Sequence, residues 1–377
     1  MSRKHTFAAT LIFGCLVGAC LEVQAASADE LPARADVFVS GTDDYHTYRI
    51  PAVIVSPKGT VLALCEGRKT SSSDHGNLDL LLRRSMDNGR TWTPTQIVYE
   101  EGGDATITIG NPCPVVDQSN GRIWLPFCRN NDDVLITYSD NDGQTWADPA
   151  EITDSVKRSD WGWYATGPGV GIQLTRGQYK NRLVIPCDHR EQVADKQTTF
   201  SHAFFSDDHG KTWTLGGSVD RHTNECQVAE IRDGTLIMNM RNYWGRHGRQ
   251  QDKDKMRAVA FSQDGGETWG ELRFDESLIE PICQGSLLRY SAQGDASDES
   301  LLFSNPASKT KRERLTVRLS HDNGTTWPAA LLLHQGPSAY SCLTVLPDGS
   351  IGCLYEGGET NAYEKIIFAS FTLKSLQ

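Results

Sequence analysis

The sequence predicts an all-β fold, a six-bladed β-propeller. Three observations predict it: an eight-residue motif that recurs five times, a strand-like run before every copy, and almost no helical periodicity. The motif is first met as Ser85-Met86-Asp87-Asn88-Gly89-Arg90-Thr91-Trp92. Residues 206–213, 262–269 and 320–327 repeat it as Ser-x-Asp-x-Gly-x-Thr-Trp, and residues 139–146 carry Asn141 at the Asp position with Asp142 beside it. Successive starts lie 54, 67, 56 and 58 residues apart. A propeller blade of four strands takes about 40–50 residues and cannot bury its faces without neighbours.

Each copy reads as a hairpin tip. Asp or Asn caps its own backbone, Gly supplies a positive φ, and Thr-Trp starts the next strand with the indole packed under the turn. The preceding strands fall at 79–83, 134–138, 201–205, 257–261 and 315–319. An unboxed unit at 340–372 makes the sixth. It closes the ring by pairing with strand-forming residues near Val37 and Ile54. Box tryptophans account for Trp92, Trp146, Trp213, Trp269 and Trp327, leaving Trp124, Trp161, Trp163 and Trp244 of the nine.

Ahead of this lies a targeting segment. Arg3 and Lys4 precede an apolar run at 7–17, and small residues lead to Val23-Gln24-Ala25 or Ala26-Ser27-Ala28 as cleavage sites. The pattern is that of a secretory signal at 1–25, too short for a membrane span, and no other stretch is apolar enough to cross a bilayer. The domain expected to carry the function is 33–377. Val17-Gly18-Ala19-Cys20 also resembles a bacterial lipoprotein box, with Cys20 as the lipidated residue. The expected location is secreted or periplasmic.

The 377 residues carry 48 Asp+Glu against 37 Lys+Arg, a net charge of −11. Such acidity argues against sequence-independent binding to nucleic acid, which needs a basic surface, and against basic anchoring on anionic lipid. Eight cysteines follow the signal: Cys65, Cys113, Cys128, Cys187, Cys226, Cys283, Cys342 and Cys353. An exported protein can form disulfides, but most of these sit singly in apolar runs, as buried thiols do. Mostly free thiols are expected, with room for one disulfide. No Cys/His spacing suggests zinc, and neither metal nor cofactor is expected.

Four segments hold the residues suited to chemistry. Tyr48-Arg49-Ile50-Pro51 precedes an apolar strand at 52–55. Asn224-Glu225-Cys226-Gln227-Val228-Ala229-Glu230 is followed by the turn Asp233-Gly234, a strand at 235–238, and Arg241. Glu225 and Arg241, across one hairpin, can face the same end of the ring. Ser304-Asn305-Pro306 leads to Lys311-Arg312-Glu313-Arg314-Leu315. Gly336-Pro337-Ser338-Ala339-Tyr340-Ser341 precedes a strand at 343–346, the turn Asp348-Gly349, and Tyr355-Glu356.

On these segments and the boxes, essentially the whole mature chain resembles the exo-α-sialidases with Asp-box repeats, of bacterial and lysosomal type. Boxes alone carry no activity, so function must rest on the site. The resemblance implies a six-bladed propeller with its site at the centre of one face, acting on sialylated glycans. It implies that Arg49, Arg241 and Arg312 hold the substrate carboxylate, with Arg314 the alternative for the third. It places the nucleophile on Tyr340, its partner base on Glu225 and not Glu230, and the acid/base on Asp74 in Ser73-Asp74-His75-Gly76. Glu356 would steady Arg49, and Arg68 in Cys65-Glu66-Gly67-Arg68 is a pocket arginine.

The residue types suit that chemistry. A sialoside carries a carboxylate on its anomeric carbon, which repels a carboxylate nucleophile; a neutral Tyr with a base beside it avoids this. Guanidiniums bind a carboxylate bidentately where Lys cannot. Asn111 and the segment from Trp163 to Gly167 are expected at the rim or the N-acyl and glycerol pockets, with Trp161 and Trp163 the pair nearest substrate. Asp104 is a further substrate-contact candidate without a discriminating context. His75, Asp79, Glu230 and the box aspartates read as structural or merely exposed. A monomer is expected. The rival readings are a non-catalytic box propeller that binds glycan or protein, a sialyl-transferring relative, and a hydrolase of a related nonulosonic acid.

Overall fold

The computed structural model describes residues 32–244, 253, 255–291 and 299–376. The predicted signal at 1–25 and Cys20 lie outside the described residues. Antiparallel strands dominate, and the only α-helix among the described residues is one turn, α1 (Thr153–Val156). The first strand, β1 (Ala33–Val39), belongs to the last sheet. The first sheet is β2 (Thr47–Val55), β3 (Val61–Arg68), β4 (Leu78–Ser85) and β5 (Gln96–Tyr99), paired in chain order. The second contains β6 (Ile109–Gly110), β7 (Val115–Val116), β8 (Ile123–Arg129), β9 (Asp133–Ser139) and β10 (Ala150–Glu151), with β6 and β7 both on β8.

The third is β11 (Trp161–Thr166), β12 (Ile172–Gln173), β13 (Leu183–Val193), β14 (Lys196–Ser206) and β15 (Thr214–Ser218). The fourth is β16 (Thr223–Glu230), β17 (Leu236–Asn242), β18 (Met256–Ser262) and β19 (Arg273–Ile279). The last joins β20 (Ser286–Ser291), β21 (Glu299–Pro306), β22 (Glu313–Ser320), β23 (Ala329–Val345), β24 (Ile351–Gly357) and β25 (Lys365–Phe371) to β1. This all-β, propeller-like arrangement agrees with the predicted class.

Burial explains why each sheet needs its neighbours. Strands β3 and β16 are buried at every residue, whereas β5, β15 and β19 are largely exposed or half-buried. Apolar clusters lie between successive sheets, such as Leu62, Leu64, Leu80 and Leu82 against Val116, Ile123, Leu125 and Phe127. Burying both faces of a strand removes the alternation that would mark it in sequence.

Closure of the last sheet follows one half of the expectation. Val37 lies on β1, which pairs antiparallel with β25 from Ala33↔Ser370 to Val39↔Lys365. Ile54 does not close the ring: its strand, β2, pairs with β3 and begins the first sheet. All eight described cysteines are free and buried, so the one disulfide allowed for is absent. Each thiol is enclosed by core packing instead of facing a partner.

All five boxes lie between the third and fourth strands of a unit. In the first, Ser85 Oγ accepts the Gly89 N–H at 2.8 Å and donates to Asp87 Oδ1, which also accepts the Thr91 N–H at 2.8 Å. The Asn141 box keeps the scheme, with Thr145 N–H on Asn141 Oδ1 at 2.9 Å. Gly is not alone in taking positive φ: Asn88, Asp142, His209 and Asn323 before it sit near +60°. Two successive left-handed residues make a primed hairpin turn. The expectation that Thr-Trp starts the next strand is met closely at the third box, where β15 begins directly after Trp213, and nearly at the fifth, where β23 begins two residues after Trp327, but not at the others, where β5, β10 and β19 begin four residues after the indole. A Cβ on Gly89 would collide with the Phe368 ring, an aromatic of the last sheet. The box tip therefore also spaces neighbouring sheets.

Candidate active site

Breaks in strand register aim the candidate residues. Pairing shifts between Arg49 and Ala52 on β2, between Thr223 and Cys226 on β16, and between Ser338 and Ser341 on β23. Arg49, Glu225 and Tyr340 each stand at or inside such a break. A bulge turns a side chain out of the pleat, here toward one common opening. Ile50 carries the cost: it sits at φ 59°, unfavourable for a β-branched residue and more so before Pro51. Its N–H donates to Glu356 Oε1 at 2.9 Å, which holds the strained turn in place.

At the centre, the Tyr340 hydroxyl donates to Glu225 Oε1. Arg241 Nη1 donates to Glu225 Oε2 at 2.7 Å and to the Tyr340 oxygen at 3.1 Å. All three side chains are buried. Burial, reinforced by the adjacent Glu225, pushes the Tyr340 phenol well above its ordinary 10; Arg241, Arg312 and Arg49 pull the other way without reversing it. The phenol is thus neutral at rest, with an acceptor for its proton already bonded and cations around its oxygen.

Glu356, fully buried, organises a second cluster. It accepts Arg49 Nε at 2.7 Å and the Tyr340 N–H at 3.1 Å, so one carboxylate fixes both the arginine and the tyrosine backbone. The Arg49 guanidinium lies 5.0 Å from the Tyr340 ring centroid and 4.1 Å from that of Tyr363. Arg312 stands 5.5 Å from the Tyr340 ring and donates to the Tyr363 hydroxyl at 2.9 Å. Arg49, Arg241 and Arg312 therefore ring one tyrosine. Arg314 is not part of the cavity lining.

On the other side, the 69–77 loop carries Asp74 between β3 and β4. Arg68 Nη1 donates to Asp74 Oδ1 at 2.8 Å and to the Ser72 carbonyl at 2.7 Å, while Arg49 reaches Asp74 at 3.5 Å. Asp74 remains 75 % exposed at its side chain. Burial alone would raise its carboxyl, but Arg68 and Arg49 outweigh that and hold it below the ordinary range. Arg68 is itself gripped by Glu66 Oε2 at 2.7 Å, and Glu66 Oε1 accepts the Asn111 N–H at 2.9 Å.

These residues open on a cavity of about 450 Å³. Arg49, Arg68, Asp74, Asn111, Glu225, Arg241, Arg312 and Tyr340 all line it, and Glu356 lies beneath. Trp163 and His75 line it too. Trp161 does not: it is buried and stacked on His189 at 3.4 Å between centroids, because the pairing of β11 with β13 shifts between Trp161 and Tyr164 and breaks the two-residue alternation that would keep both indoles on one face. Asp104 is likewise outside the lining. Glu230 is structural, accepting from Thr175, Arg176 and Arg289. Asp79 accepts the Tyr45 hydroxyl at 2.6 Å.

The sequence reading passed over Glu66, Asn131, Arg190, Asn224, Tyr243 and Tyr363, which also line the cavity. Glu66 was recoverable, since it stands two residues before Arg68 on one strand and shares its face. Tyr363 and Arg190 had no local signal. Among the described residues, no group of three or more His, Cys, Asp or Glu is arranged to hold a metal ion.

Comparison with known proteins gives a consistent picture. A family model described as a BNR repeat-like domain matches residues 59–353. A sialidase of Micromonospora viridifaciens is 32 % identical over 88 % of this chain, which spans only 53 % of that relative's length. Sialidase-2 of Cricetulus griseus is 34 % identical over 88 % of this chain and 94 % of its own. Among solved structures, the Hadza microbial sialidase Hz136 superposes with a TM-score of 0.81 at 30 % identity, covering 91 % of this chain and 69 % of that one.

Proposed function

The chain belongs to the sialidase family with BNR repeats, and from that premise we propose that it is an exo-α-sialidase, a glycoside hydrolase that removes terminal α-linked sialic acid with retention. The observation that carries the reading is the Tyr340–Glu225 hydrogen bond inside a ring of three arginines. We read the sheets as six blades, the seven-stranded one being two units that share β23. In support, β23 pairs with β22 through Pro337 and with β24 from Ser338.

In this mechanism the substrate carboxylate lies against Arg49, Arg241 and Arg312, which sets the anomeric carbon over the Tyr340 oxygen. The Tyr340 oxygen bonds to that carbon, its proton passes to Glu225, and the glycosidic C–O bond breaks. Asp74 protonates the departing oxygen. In the second half, Asp74 takes a proton from water, whose oxygen bonds to the anomeric carbon as the bond from that carbon to the Tyr340 oxygen breaks, and the released tyrosyl oxygen recovers its proton from Glu225. Two inversions leave the configuration retained. The arginines, fixed before the reaction, favour the positive ring carbon only by placing the compensating carboxylate beside it.

Asp74 must first gain a proton, although at rest Arg68 and Arg49 keep its carboxyl low. A substrate carboxylate that engages Arg49 weakens that pull and excludes water from the loop, so proton uptake follows binding. Hydrolysis of 3′-sialyllactose tests the function: wild type releases sialic acid and Tyr340→Phe does not. No release by wild type from any sialoside overturns the proposal. A 2,3-difluorinated sialosyl fluoride tests the intermediate, by the added mass on the Tyr340 peptide. Export by a signal at 1–25, with Cys20 as the alternative lipid attachment point, and action as a monomer on sialylated glycans complete the proposal. N-terminal mass analysis and light scattering check those parts.

A further inference from the structure

Five arginines line the cavity, and three have carboxylate partners: Arg49 with Glu356, Arg68 with Glu66, and Arg241 with Glu225. Among the described residues, Arg312 and Arg190 have none. Arg312 faces the Tyr340 ring and bonds to Tyr363 and the Ile282 carbonyl. Arg190, on β13, is exposed and held only by its guanidinium lying 5.0 Å from the Trp163 ring centroid. Arg312 lies in the bend just before β22 and Arg190 on β13 of the third sheet, and the two share no contact residue. One carboxylate seated among Arg49, Arg241 and Arg312 therefore leaves Arg190 uncompensated.

The carboxyl two positions back on the same strand makes no ion pair with it. Asp188, two positions back on β13, is fully buried and accepts the Asn224 amide. Burial, then repulsion from Glu225, pushes that carboxyl well above the ordinary range, with Arg241 and Arg190 pulling the other way without reversing it. What remains is an unpaired guanidinium, pre-oriented on an aromatic face at the mouth of a pocket, in a chain that is acidic as a whole.

We propose that Arg190 on the Trp163 face forms a subsite for a second anionic group of the substrate, either the carboxylate of a neighbouring acidic sugar or a sulfate ester. The subsite rests on the sialidase reading and deepens it: the preferred glycans are dianionic. Both anions offer the guanidinium two in-plane oxygens. Because Arg190 is exposed, its attraction is screened by salt, unlike that of the buried cluster.

The test compares kcat/KM for 3′-sialyllactose, an α2-8-linked disialyllactose and a sulfated sialyl-N-acetyllactosamine, in 20 mM and 500 mM NaCl (roughly 20 Å and 4 Å of screening length). Wild type is expected to favour at least one dianionic substrate by about fivefold at low salt, through KM, with the preference shrinking at high salt. Arg190→Gln brings the dianion-to-monoanion ratio to about one, and Arg190→Lys keeps part of it. Which dianion is preferred identifies the source of the charge. A ratio that is the same in wild type and Arg190→Gln, with unchanged melting temperatures, overturns the subsite. Turnover of none of the three by wild type overturns the sialidase reading and the subsite with it.

Discussion

Asp87 in the first box and Glu356 beneath the pocket are both hydrogen-bonded carboxylates, yet they draw on the chain at different ranges. Asp87 bonds to Ser85 two residues away and to the N–H and hydroxyl of Thr91 four away. Glu356 bonds to Arg49 across 307 positions, and Glu225 to Tyr340 across 115. The box partners meet in any chain that makes the turn. The pocket partners meet only when the complete set of sheets has formed. Repeated local bonding thus stabilises each unit separately, while the Arg49–Glu356 and Tyr340–Glu225 bonds at the centre of the pocket exist only in the finished fold. Losing one box should therefore be tolerable, whereas losing one pocket carboxylate strands buried cations.

The largest effect that would sharpen this contrast comes from Tyr340→Phe. Turnover of sialyllactose is expected to fall by roughly 10³-fold or more, with the melting temperature nearly unchanged, since the ring and its packing survive. Retained turnover would remove Tyr340 from the chemistry. Glu356→Gln comes next and should damage both properties. It leaves Arg49 buried without its ion pair at a cost of about 3 kcal/mol, measured by denaturant unfolding, and kcat/KM falls by about 10²-fold. If unfolding is unchanged, the pocket charges are less interdependent than the geometry implies.

Asp74→Asn, at an exposed loop position, should leave unfolding alone. Hydrolysis of sialyllactose is expected to drop by about 10²-fold, with a much smaller loss on an aryl sialoside whose leaving group needs no proton. Equal losses on both substrates would assign Asp74 another role. The smallest effect belongs to the box. Asp87→Ala should lower the melting temperature by about 2 °C and leave kinetics intact.

That box effect has a pH signature. The Thr91 and Ser85 bonds hold the Asp87 carboxyl at about 2, below its usual 3.8. A folded-state value depressed in this way contributes stability fully above the unfolded value and loses it as pH falls through about 2. The gap between wild type and Asp87→Ala should accordingly be widest near neutrality and close toward pH 2. A gap that stays constant with pH would mean the carboxylate's charge plays no part in the turn.

Much of this was legible in the residues. Five Ser-x-Asp-x-Gly-x-Thr-Trp copies identified the turns, because the Ser, Asp, Gly and Thr bonds that shape each turn lie within four positions. The strands ahead of them were visible as apolar runs fixed in place by those turns. Tyr340, Glu225, Asp74 and the arginines were found through resemblance to a family, not through local pattern, and the structure brings them to one cavity. Trp161 was misplaced because two residues apart on a strand normally share a face, and the register shift between Trp161 and Tyr164 that separates the two indoles leaves no mark in the sequence. Arg190 and Tyr363 were missed because nothing near them in the chain distinguishes a pocket arginine or tyrosine from a surface one.

By itself, then, the sequence determined the repeat, the turn chemistry and the all-β class, all consequences of interactions between residues a few positions apart. Only the tertiary structure decided that β1 and not β2 closes the last sheet, and that register breaks at Arg49, Glu225 and Tyr340 turn their side chains into one cavity. It also decided that Arg190 stands there without a carboxylate. Those outcomes depend on which strands stack against which, and contacts between residues a hundred or more positions apart leave no local trace.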